Sequence, residues 1–145
     1  MEDAPLAPVR RRGAAVAVIL LASCARHAVS AVPLAVGMQL PRSISAPFGA
    51  PNAPPRIVRI WISQNNVTGG DVLRGHVTTT TNVASLEVRL GPKSAPLKRT
   101  TFGQFEGTFH VPTVPSFLHR SYSVDLIARN AAGTTAQAAV TIDYR

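Results

Sequence analysis

From about Arg56 to the C-terminus, apolar and polar residues alternate at period two. Val58, Ile60 and Ile62 alternate with Arg59, Trp61 and Ser63; Leu73, Gly75, Val77 and Thr79 alternate with Arg74, His76 and Thr78. Ala84, Leu86, Val88 and Leu90 form a third such set. Phe105, Gly107, Phe109 and Val111 form a fourth, and Tyr122, Val124, Leu126 and Ala128 a fifth. The last set is Ala136, Ala138, Val140, Ile142 and Tyr144. Successive side chains of a strand point to opposite faces, so each set predicts a strand with one face buried and one wet. A short edge strand is predicted at Leu97–Thr101, where Lys98 and Arg99 would discourage pairing with another chain. Gly69-Gly70, Gly91-Pro92, Gly103 and Pro112 punctuate the strands. Asn130 and Gly133 are expected to turn the chain through left-handed backbone, which both residue types tolerate. Six or seven short strands and no helical period predict an all-β fold, an antiparallel β-sandwich of about seven strands over 56–145.

The first 31 residues follow a different pattern. Arg10-Arg11-Arg12 precedes the apolar run Gly13–Ala22, the layout of an export signal with a basic start and a hydrophobic helix. As a helix this run would be about 15 Å long, half of a bilayer's hydrocarbon core. Leu21-Ala22-Ser23-Cys24 ends it and resembles the lipobox of bacterial lipoproteins, which makes Cys24 the candidate lipid-attachment residue. Two other endings stay open: cleavage after Val29-Ser30-Ala31, or an uncleaved signal anchor. Residues 32–55 hold Pro33, Pro41, Pro47, Pro51, Pro54 and Pro55. Proline denies both helix and ladder hydrogen bonds, so this stretch is expected as a disordered tether between signal and domain. Localisation is then extracytoplasmic, either membrane-anchored or secreted.

Composition sharpens the picture in three places. The chain is 46% hydrophobic but only 6% aromatic, so the core must rest on aliphatic residues. Cys24 is the single cysteine, so no internal disulfide helps the fold. From Arg56 onward there are 10 basic and 5 acidic residues, a net of +5, which favours anionic surfaces in general. No run of like charges and no exposed aromatic series accompanies it, so nucleic acid is not expected as a partner.

The run Tyr122-x-Val124-x-Leu126-x-Ala128-x-Asn130-x-x-Gly133 resembles the penultimate strand of fibronectin type III and related immunoglobulin-like domains. Gly103-x-Phe105-x-Gly107-x-Phe109-x-Val111-Pro112 is similar to the strand before it in bacterial immunoglobulin-like modules. The resemblance implies an Ig-like sandwich with Tyr122 as a corner tyrosine, its hydroxyl bonded to nearby backbone. No cysteine pair bridges the sheets, and Trp61 lies on the first strand, so an antibody-type domain is excluded.

No catalytic set is recognisable: Gly-x-Ser-x-Gly, Ser-x-x-Lys and phosphate-binding glycine loops are absent. The expectation is therefore a non-enzymatic module without a cofactor, binding a protein or glycan of the cell envelope through its loops and touching the membrane through its N-terminus. Two alternative sites stand beside it. His76 and His110, on neighbouring predicted strands, would hold a metal if they met across a sheet. Trp61 beside Arg59 would stack on a sugar or anchor a partner if exposed. Glu87 and Asp125 are the one acidic pair that strand adjacency could bring together, with Arg89 and Arg129 as their ordinary partners.

Overall fold

The computed structural model describes residues 31–42 and 44–145. The expected signal helix and Cys24 lie outside the described residues. Among the described residues no helix is long and apolar enough to cross a membrane.

Among these residues ten strands form: β1 (Leu34–Val36), β2 (Ile57–Ile62), β3 (Asn66–Val67), β4 (Val72–Thr79), β5 (Val83–Leu90), β6 (Lys93–Pro96), β7 (Lys98–Thr101), β8 (Gln104–His110), β9 (Ser121–Asn130) and β10 (Thr135–Tyr144). They make two five-stranded sheets, ordered β1-β2-β4-β8-β7 and β3-β10-β9-β5-β6. We call them the first and second sheets. Their inner faces share one core that joins Ile60, Val77 and Phe105 of the first sheet to Leu86, Ala128 and Ala138 of the second. The all-β class is as the periodicity predicts. The sheets are mixed, however, and not purely antiparallel. β1 runs parallel to β2, and β3 runs parallel to β10. Both parallel strands are short edge pieces, three and two residues long, whose pairing needs no hairpin.

Three register irregularities interrupt the ladders among the described residues, one of them between Arg99 and Thr101 of β7. The β5–β9 register slips between Val83 and Ser85, and the β2–β4 register slips between Ile57 and Arg59. An extra residue flips the side chains before it to the other face. Val83 is accordingly fully buried and Ala84 exposed, the reverse of the predicted phase. Gly133 takes the left-handed backbone expected of it, with φ 83°. Asn130 does not, and no described non-glycine residue has positive φ. Its side chain is what matters. The buried amide accepts from the Thr134 N–H at 2.8 Å and donates to the Ala53 carbonyl at 3.0 Å.

The Ala53 contact leads to the largest departure from expectation. Residues 32–55 are not a free tether but a strap laid against the first sheet. β1 pairs with β2 in register Leu34 to Ile60. The chain then crosses the outer face of the first sheet, where Gln104 Nε2 donates to the Ile44 carbonyl at 2.9 Å. It turns along the end of the sheets, where the Thr81 N–H donates to the Pro47 carbonyl at 3.0 Å. Asn82 Nδ2 holds the Ala50 and Ala53 carbonyls at 2.9 and 2.7 Å. Proline removes the donor but leaves the acceptor. The amide side chains of Asn82, Gln104 and Asn130 supply donors that this stretch cannot obtain from a ladder of its own.

Candidate functional site

The outer face of the first sheet carries most of the candidate residues. The register places Trp61, His76 and Glu106 in one row across β2, β4 and β8, and Arg59, Thr78 and Gln104 in the next. The strap covers Arg59, Trp61, His76, Thr78 and Gln104, and leaves Glu106 exposed. Trp61 retains only 6% of its exposure although it is not part of the inter-sheet core. The gap left beside it, under Pro41, Arg42 and Ile44, is about 10 Å³, room for no more than a water molecule. Trp61 and Arg59 therefore do not form an open stacking site, and the expectation of one is corrected.

His76 and His110 do share the outer face, but they do not meet. His76 pairs with Glu106, and His110 pairs with Val72, four positions further along the strands. At about 3.3 Å per residue that separates them by about 13 Å, too far to share an ion. Among the described residues no three His, Cys, Asp or Glu side chains converge on a metal position. Burial beneath the strap pushes the His76 pKa down, and the facing Glu106 carboxylate partly opposes the shift. Glu87 and Asp125 do not pair either. Glu87 Oε1 is taken by Arg89 at 2.7 Å and Arg129 at 3.1 Å on the outer face of the second sheet.

The feature with room for a ligand lies between the sheets. Burial falls along β5, β8 and β9 toward one end. On β5 it runs from Val83 and Leu86, closed to solvent, through half-buried Val88 to Leu90 at 44% exposure. On β9 it runs from Ala128 and Leu126 to half-buried Val124 and Tyr122; on β8, from Phe105 to half-buried Phe109. These half-buried positions still point inward. They face a cavity of about 670 Å³ whose wall includes Leu73, Phe109, Val124, Leu126, Val140 and Ile142. That volume is within the range of small-molecule pockets.

A glycine pair explains the opening. Gly75 on β4 and Gly107 on β8 sit directly opposite each other at inward positions of the first sheet. Gly107 is filled over: a Cβ there would come within 2.6 Å of Leu97 Cδ2. Gly75 is not. A Cβ there would meet nothing closer than the Trp61 carbonyl oxygen at 3.9 Å. The middle of the first sheet thus presents bare backbone where its neighbours present Leu73 and Val77, and Gly75 lines the cavity.

The polar groups inside this wall are already engaged. Tyr122 Oη donates to the Leu118 carbonyl at 2.6 Å, and Tyr144 Oη donates to the Pro112 carbonyl at 3.0 Å. Both bonds tie down the loop 111–120, which also holds Arg120 over the Tyr122 ring and His119 beside the Tyr144 ring. The tyrosines therefore offer ring faces and no free hydroxyl. Among the described residues no buried side-chain nitrogen or oxygen lacks a partner. The remaining polar lining groups, Lys93, Ser94 and His110, are exposed and stand at the mouth. Sequence reasoning places none of this in a site, though inward glycines within two adjacent strands are the kind of signal that marks a close approach.

No family model matches the chain, and no curated protein matches it. Among solved structures, a superoxide reductase (neelaredoxin) from Ignicoccus hospitalis superposes with a TM-score of 0.40 at 14% identity, over 63% of this chain and 80% of that one. At this level of similarity neither that protein's reaction nor its residues carry over, and the expectation that this chain is not an enzyme is withdrawn.

Proposed function

We propose that the chain is an exported binding module of the immunoglobulin-like class whose ligand sits between its sheets and not on its loops. The observation that carries the reading is the apolar cavity of about 670 Å³ at the splayed end. A space of that size, lined by aliphatic and aromatic side chains with every interior hydroxyl already bonded, favours an apolar small molecule or acyl chain. Two features support the Ig-like reading. The strand order pairs β2-β4-β8-β7 against β10-β9-β5-β6, as an Ig-type sandwich does, and Tyr122 at the start of β9 bonds back to Leu118. Export to a bacterial envelope, with Cys24 as the lipid-bearing residue, rests on the Arg10–Arg12 cluster, the apolar run and the lipobox-like ending.

The test is fluorescence titration of the full chain with 1-anilinonaphthalene-8-sulfonate. One saturable site displaced by dodecan-1-ol is expected. Absence of saturable binding by a natively folded chain overturns the proposal.

A further inference from the structure

The mouth of the cavity has a chemistry distinct from its floor. It lies at the splayed end, where β5 ends at the 44%-exposed Leu90 and turns into β6. Lys93 of β6 stands on one lip at an inward register position, whereas His110 on the other lip belongs to the outer row of its sheet. Among the described residues no Asp or Glu lines the cavity. Two carboxylates lie nearby: Asp71, which precedes Val72 and accepts from the Thr68 N–H and from Gln64, and Glu87, opposite Pro96. Glu87 is already held by Arg89 and Arg129. Among the lining residues Lys93 is the one Lys or Arg, and it is in no ion pair among the described residues, while the interior is apolar and its hydroxyls are spent.

On the reading that the cavity binds a ligand at all, we infer that its ligand class is a single-chain amphiphile with an anionic head, such as a long-chain carboxylate. The chain lies between the sheets over Gly75, and the head stays at the lip against Lys93. A neutral lipid would use the same floor but leave the cationic lip without a counter-charge. A cationic amphiphile would meet like charge there. Both lips are exposed, so the head remains partly hydrated and its attraction is weakened by salt.

Binding of dodecanoate and of dodecan-1-ol to the full chain, each below its micellar concentration, tests this at low salt. Dodecanoate is expected to bind tighter than the alcohol. Lys93→Glu removes one attraction and adds one repulsion, so it should weaken dodecanoate about tenfold and leave the alcohol unchanged. Lys93 is exposed and outside the core, so the variant folds as the parent does. Equal binding of the two probes, or a Lys93→Glu variant that binds dodecanoate like the parent, overturns the anionic assignment while the cavity reading stands. Failure of both probes to bind overturns the two together.

Discussion

Gly75→Val puts the cavity to the test in both directions at once. The substitution adds three carbons at an inward position where the nearest atom to a Cβ is 3.9 Å away, so it fills space without displacing a neighbour. Glycine inside a strand is destabilising by about 0.5–1 kcal/mol relative to alanine, because it gives up more backbone freedom on folding. A fully buried valine side chain adds about 1.5 kcal/mol or more, and at a position that remains half-open we take about half of that. The sum is a gain of about 1 to 2 kcal/mol, or roughly 5–10 °C in Tm for a domain of this size. The same methyl groups occupy the middle of the proposed ligand's path. Urea denaturation should therefore give a higher midpoint with an unchanged slope. Titration with 1-anilinonaphthalene-8-sulfonate should show binding weakened or lost. A lower midpoint would mean that the space is not there; unchanged probe binding would mean that the probe sits elsewhere.

Further outcomes follow from the strap, the corner and the covered face. Asn130→Ala and Asn130→Gly should both lose about 1 kcal/mol in chemical denaturation, since each removes the bond to the Thr134 N–H and one of the two donors to the Ala53 carbonyl; a neutral Asn130→Gly would restore the left-handed-turn reading. Tyr122→Phe should cost about 1 kcal/mol by the same assay, because it removes the bond to Leu118 while keeping the ring under Arg120; no change would show that bond to be without weight. Trp61 emission should be blue-shifted and resist acrylamide, as expected of a 6%-exposed ring, and should ignore acidic glycans. Free quenching would lift the strap from the sheet. Burial holds the His76 pKa below its ordinary value of 6.5, so near and below that pH the folded state binds fewer protons than the unfolded one. Stability is then fully present above about pH 6.5 and falls as the pH drops below it, and His76→Gln should flatten this part of the pH–stability curve.

The strands are legible because their cause is local. Val77, Phe105 and Leu126 sit at the buried phase of an alternation that any reader of the sequence can count. The phase fails at Val83 and Ala84, where a bulge inserts a residue that no turn signal announces. The strap is illegible for the opposite reason. Its hydrogen bonds run from Gln104 to Ile44 and from Asn130 to Ala53, 60 and 77 positions apart, and proline density conceals that the carbonyls remain available. The burial of Trp61 cannot be foreseen without that strap, so a ring on a predicted wet face reads as a stacking site. Alternation puts His76 and His110 on the correct face, but only the β4–β8 register shows that they miss each other by four positions. The cavity falls between these cases. Gly75 and Gly107 are visible at inward positions, while their direct opposition, and the open space above one of them alone, need the pairing of the sheet.

The most direct measurement is methyl-resolved nuclear magnetic resonance of the full chain during titration with dodecanoate. Shifts should concentrate at the splayed end, on Val88, Val111, Val124 and Ile142, with Val83 and Leu86 in the closed half moving little. Saturable shifts confined to the loops or to the outer faces, or no shifts at all, would contradict a ligand between the sheets.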